Sequence, residues 1–113
     1  MEPRLATSVL VSGLIRRAEA EGGFGAVLTK GDATAGALLL ILLERGQNPR
    51  LLERVLKPDG SYGWEVSAGQ DPENTAEVPQ LVDRRRRFDP DLWVVELDIP
   101  SAERFTAGMN PAG

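Results

Sequence analysis

Apolar and polar positions along this chain follow two periods, and the changes between them mark its elements. From Thr7 to Glu21 the apolar residues Leu10, Val11, Leu14, Ile15 and Ala18 recur at helical spacing and form one stripe. This predicts an amphipathic helix. Thr7 or Ser8 is placed to cap its start by accepting a backbone N–H, and Gly22-Gly23 stops it. Arg16 and Arg17 fall toward its C-terminal end, where a cation suits the helix dipole. Phe24 to Lys30 switches to period two, with Phe24, Ala26 and Leu28 on one face, and reads as a strand. Lys30-Gly31-Asp32 is a turn signal.

Ala37 to Leu43 is apolar without a break. Alanine and leucine favour a helix there, capped by Asp32 and stopped by Gly46. An unbroken apolar run between turn residues also fits a strand buried on both faces, and periodicity does not separate the two. Gly46-Gln47-Asn48-Pro49 reads as a turn and Leu51 to Lys57 as a strand. Pro58-Asp59-Gly60 is a second turn, and Tyr62 to Val66 completes a β-meander. Residues 67–72 read as loop. A second helix is predicted from Thr75 to Phe88, with Pro79 near its start. Val78, Leu81, Val82 and Phe88 mark its apolar stripe. Asp89-Pro90 ends it, because the residue before proline is pushed out of the helical region. Leu92 to Ile99 is a strand with Trp93, Val95, Leu97 and Ile99 on one face. The other face begins with Leu92 and Val94 and turns acidic at Glu96 and Asp98.

These elements predict an α+β fold: an N-terminal helix, a mostly antiparallel sheet of four to five strands, a second helix and a final C-terminal strand. Residues 1–100 are expected to form a single domain and 101–113 a flexible tail rich in Ala, Gly and Pro. Both helices are expected on one sheet face, leaving a second apolar face that a homodimer would cover.

Composition narrows the chemistry. The 113 residues contain no cysteine and no histidine. A disulfide framework, a thiolate zinc site, a cysteine nucleophile and a Ser-His-Asp triad are excluded. No cofactor is implied. Met1-Glu2-Pro3-Arg4 does not open like a signal peptide, and the longest apolar run is far short of the roughly 20 residues of a membrane-spanning helix. A cytoplasmic location without membrane attachment is expected. The net charge is −4, and it is unevenly placed. Glu65, Asp71, Glu73, Glu77 and Asp83 occur in a stretch without a base, and Arg84 to Arg87 follow directly. An acidic chain with one basic knot argues against broad nucleic-acid binding.

Three stretches, taken in order, resemble a small bacterial family classed as a domain of unknown function. They are Leu14-Ile15-Arg16-Arg17-Ala18-Glu19, then Lys30-Gly31-Asp32-Ala33-Thr34-Ala35-Gly36-Ala37-Leu38-Leu39, then Arg86-Arg87-Phe88-Asp89-Pro90-Asp91-Leu92-Trp93-Val94-Val95-Glu96-Leu97. In similar sequences the segment after the second stretch alternates like a strand, so the resemblance implies a strand at Ala37 to Leu43. It implies no activity, ligand or catalytic residue.

Several residues are candidates for recognition. Successive helical residues turn by about 100°, so Arg84 to Arg87 point nearly all round the axis and do not make one basic face. Arg84, Arg86 and Arg87 are either a solvated helix end that complements the dipole or a phosphate or acidic-partner site. Arg85 points with the apolar stripe. Its stem is predicted to pack at the core edge while its head reaches a carboxylate such as Glu96 or Asp98. Gly31-Asp32 with Gly36 lacks the pattern of a phosphate loop, and Asp32 is expected to bond the backbone two residues on. Asp89 and Asp91 read as a turn around Pro90, or as two close carboxylates that bind a hard cation or share a proton. Tyr62, Trp64 and Trp93 serve packing or ring stacking.

The function these features favour is a non-catalytic protein-interaction or self-association module. One alternative is a small-ligand binder or enzyme in which Arg16 or Arg17, Asp32 and the arginine run gather around Trp64. Another is phosphate or nucleic-acid contact through Arg84–Arg87.

Overall fold

Leu38 to Leu42 form the centre of the molecule, and every one of them is buried. Leu38, Leu40 and Leu42 enter one apolar cluster, and Leu39 and Ile41 enter another on the opposite side. A strand buried on both faces has no need of polar alternation, which is why this run carries none. The structure is a computed structural model describing residues 6–66 and 77–109.

In chain order the elements are α1 (Thr7–Ala20), β1 (Phe24–Thr29), β2 (Leu38–Glu44), β3 (Gln47–Leu56), β4 (Tyr62–Val66), α2 (Val78–Phe88), β5 (Trp93–Ile99) and α3 (Ala102–Met109). The five strands form one mixed sheet in the order β1-β5-β2-β3-β4. β5 runs antiparallel to β1 and parallel to β2, and the β2–β3–β4 meander is antiparallel. The α+β fold read from the sequence is the observed one, and Ala37 to Leu43 is a strand in all but its first residue.

Four details correct the expectations. First, α1 and α2 lie on opposite faces. The first face carries Leu38, Leu40, Leu42, Trp93, Val95, Leu97 and Ile99 beneath α1 and α3, and the second carries Leu39, Ile41, Leu51 and Val94 beneath α2. The apolar second face therefore has a helix on it. Second, the stretch expected as a tail folds into α3 up to Met109. The Ser101 hydroxyl accepts from the Arg104 N–H and the Glu44 carboxylate from the Ala102 N–H, and Phe105 is wholly buried. Third, α1 has no side-chain cap. The N–H groups of Thr7 and Ser8 donate to the carbonyls of Thr34 and Ala33, and the Thr7 hydroxyl donates to the carbonyl of Gly36. A tertiary loop satisfies the helix end that a local hydroxyl was expected to satisfy. Fourth, the turn before β3 is shorter than Gly46–Pro49. Arg45 and Gly46 both take positive φ, 51° and 79°, and β3 starts at Gln47. This is the two-residue hairpin whose twist suits antiparallel strands. Asn48, at φ 55°, and Pro49 fall where the pairing register shifts, so the proline removes no regular ladder bond.

The β3–β4 turn follows its sequence signal. The Asp59 carboxylate accepts from the Ser61 hydroxyl at 2.6 Å and from its N–H at 2.9 Å. The hydroxyl bond first and the N–H bond second hold the Asp59 pKa below the ordinary carboxylate value. The start expected for the second helix, Thr75 and Ala76, lies outside the described residues.

Candidate recognition surface

Two loop stretches far apart in the chain, Gly31–Ala37 and Asp89–Trp93, meet at one end of the sheet. The Asp32 N–H donates to the Asp91 carbonyl at 3.1 Å, and the Trp93 indole N–H donates to the Asp32 carbonyl at 2.7 Å. Gly31 and Gly36 both lie so close to the Asp91 carbonyl that a Cβ on either would overlap it. The Asp32 carboxylate accepts from the N–H groups of Thr34 and Ala35, and Asp89 accepts from the N–H of Asp91. Both aspartates serve turns. Trp93 is buried in the first-face core with its indole N–H satisfied. Beside this knot a polar recess of about 200 Å³ is lined by Thr7, residues 34–38, Arg54 and Tyr62. The Arg54 guanidinium stacks 4.2 Å from the centre of the Tyr62 ring.

The remaining candidates do not converge. Arg17 joins α1 to α3: its Nη2 donates to the Phe105 carbonyl at 2.8 Å, its Nε pairs with Glu21 at 3.2 Å, and its guanidinium lies 4.4 Å from the Phe105 ring centre. Arg16 is exposed on the same helix. Trp64 is half-buried against the first-face core. Arg84, Arg86 and Arg87 are exposed on α2, across the sheet from Trp64. The cleft that would gather Arg16 or Arg17, Asp32 and the arginine run around Trp64 is not formed. Asp83 lines the shallow surface between Arg86 and Arg87, which works against an anion seated there.

Arg85 points toward the sheet, as its place on the stripe predicts. Its Nη1 pairs with Glu53 of β3 rather than with Glu96 or Asp98. α2 lies over the β2–β3 side of the second face, so Glu53 is the carboxylate within reach. The two side chains are 39% and 22% exposed, and solvent screens the pair. Arg85→Met is therefore expected to change unfolding free energy by about 1 kcal/mol or less, measured by urea denaturation. Phe88 departs from its expected place on the stripe: it is 84% exposed. From Arg86 to Phe88 every residue of α2 is exposed, so the last turn overhangs the sheet.

Because α2 covers only part of the second face, an open groove of about 400 Å³ runs along its side. Ile41 and Leu43 of β2 and Leu28 of β1 form its floor, and Val78, Pro79 and Val82 form its wall. Pro49 also lines it. Asp83 and Glu96 are the ionisable side chains in its lining. Glu96 is half-buried and has no hydrogen-bond or ion-pair partner among the described residues. The sequence marked Glu96 only as a partner for Arg85. The groove itself is assembled from four distant segments, and only its alternation at Val94–Asp98 hinted at an acid on an apolar face.

A three-layer domain with a mixed five-stranded sheet, one helix on one face and two on the other, thus frames a single apolar groove among the surfaces described above. No group of three or more metal-ligating side chains occurs among the described residues, and no helix among them is long and apolar enough to cross a membrane. The chain belongs to the DUF1491 family, described as a protein of unknown function, whose model matches residues 5–107. It is similar to a crystal structure of a DUF1491 family protein from Caulobacter crescentus CB15, at 36% identity over 90% of this chain and 94% of that one, with a TM-score of 0.79. An NMR structure of a DUF1491 family protein from the same organism gives 35% identity over 93% and 94%, with a TM-score of 0.76. A solution structure of a protein from A. tumefaciens gives 30% identity over 92% and 93%, with a TM-score of 0.71. The comparison with curated proteins gives no match.

Proposed function

We propose that this protein is a non-catalytic protein-interaction module, and that the groove beside α2 receives a partner segment presenting an apolar side chain next to a basic one. The observation that carries this reading is Glu96. A carboxylate half-withdrawn from water on an apolar floor, with no ion-pair partner among the described residues, is an incomplete pair. A lysine or arginine arriving with an apolar neighbour completes the pair and covers Leu28, Ile41 and Leu43 in the same step. Asp83 at the rim adds to the preference for a cation. The absence of histidine and cysteine from the chain removes the side chains that most often do acid–base and nucleophilic work near neutral pH.

A short synthetic peptide of leucines around a single lysine tests this, with a glutamate version as its control. In methyl NMR the lysine peptide is expected to shift Leu28, Ile41 and Leu43 and to bind about tenfold more tightly than the glutamate peptide. Glu96→Gln is expected to remove most of that preference while leaving the fold intact. Equal binding of the two peptides, or shifts confined to other surfaces, would overturn the reading.

A further inference from the structure

We infer that two copies of this chain join edge to edge through β1, antiparallel about Ala26, into one ten-stranded sheet. The inference does not depend on the groove's occupant: edge pairing about an axis normal to the sheet shares only Leu28 with the groove and leaves Ile41, Leu43, Val78, Val82 and Glu96 open.

β1 is one of the two edge strands. Apart from its ladder with β5, no backbone hydrogen bond involves residues 24–29 among the described residues. Alternate residues of β1 therefore direct N–H and C=O groups into solvent, a template for another strand. Sheet edges are ordinarily protected by charge or proline, and the strand itself, Phe24-Gly25-Ala26-Val27-Leu28-Thr29, has neither. The bulge between Val27 and Thr29 is its one irregularity. The opposite edge, β4, is one residue shorter and carries Glu65.

The apolar side chains left in water gather on this strand. Phe24, Val27 and Leu28 are 59%, 43% and 53% exposed, and they are three of the five large exposed hydrophobics among the described residues. Their order is self-complementary. With Ala26 at the axis, Phe24 faces the partner's Leu28 twice, giving two aromatic–aliphatic cross-strand pairs, and Val27 faces the partner's Gly25. Charge agrees with the same arrangement. Glu19 lies before the strand and Lys30 directly after it, while Glu21 is already paired with Arg17. An antiparallel two-fold brings Lys30 of each copy toward the Glu19 end of the other, whereas parallel pairing would set Lys30 beside Lys30.

The layer above the sheet accommodates the approach. Ile15 of α1 sits over Gly25, which places that flank of the helix at the β1 edge. By helical spacing Ser8 and Ser12 share the flank with Ile15 and Glu19, so its N-terminal half carries small side chains. On the second face, Leu28 continues from the joined edge into the groove, and the apolar surface runs from one copy to the other.

Sedimentation from low to high micromolar protein, with amide exchange of β1 read by NMR, tests the inference. The wild-type chain, 12.2 kDa as a monomer, is expected to sediment at twice that mass with the outward amides of β1 protected like those of β5. Phe24→Lys is expected to weaken the dimer by at least about tenfold while leaving the β5 amides protected, and Lys30→Glu to weaken it in a salt-sensitive way. A wild-type monomer throughout the range overturns the inference. So does a dimer whose outward β1 amides exchange freely, since it would use another surface. Neither outcome bears on the lysine-peptide preference of the groove.

Discussion

Phe105→Ala is expected to lower the unfolding free energy by about 3–5 kcal/mol. The ring is wholly buried and touches the core beneath α1 as well as the Arg17 guanidinium. α3 has eight residues, too few to hold helical structure alone, so it persists because Phe105, Ala102 and Met109 dock on the first face. Removing the phenyl group leaves a cavity between α1, α3 and the sheet and takes the platform from under Arg17. A domain of this size has only about 5–15 kcal/mol in total, so the variant would stand near the edge of folding. Chemical denaturation measures the effect, read at unchanged denaturant slope. A loss below about 1 kcal/mol would mean that residues 101–109 do not hold the core, and α3 would then have no structural role.

The second large effect is expected at Gly31. A Cβ there falls within the Asp91 carbonyl and against Leu92, all of it backbone that no side-chain rotation can clear. Either the loop or the start of β5 must move, and the bonds from Asp32 to Asp91 and from Trp93 to Asp32 move with it. Gly31→Ala is expected to cost at least about 2 kcal/mol. Gly13→Ala is the internal control. That glycine lies within α1 with open space around it, and the same added methyl is expected to stabilise by up to about 1 kcal/mol through helix propensity. Thermal unfolding of the two variants side by side reads opposite signs. A Gly31→Ala variant that is no less stable than the wild type would show that the contact at Asp91 relaxes at no cost.

The two glycine substitutions also show where sequence reasoning had reach. Gly31-Asp32 is legible as a turn, and Asp32 bonds the backbone as its residue type predicts. That the same turn caps α1 through Ala33 and Thr34 and locks onto Asp91 is not legible, because those contacts join residues far apart in the chain. α3 had a local signal that its Ala and Gly content obscured: Ser101 at a cap position, then Ala102, Phe105 and Met109 at helical spacing. For Arg85 its place on the stripe set its direction and its need for a carboxylate. The choice of Glu53 over Glu96 depended on where α2 came to rest.

By itself the sequence determined what periodicity and residue chemistry carry: helix at Thr7–Ala20, the paired strands of the meander, the two faces of Trp93–Ile99, and a chain without imidazole or thiol. The tertiary structure decided what depends on placement. Helix stripes and strand faces record that a surface is buried but not against which neighbour, since burial of apolar area is non-directional. Thus α1 and α2 took opposite faces, α3 joined the first, Glu96 was left without a cation among the described residues, and β1 was left as an edge strand.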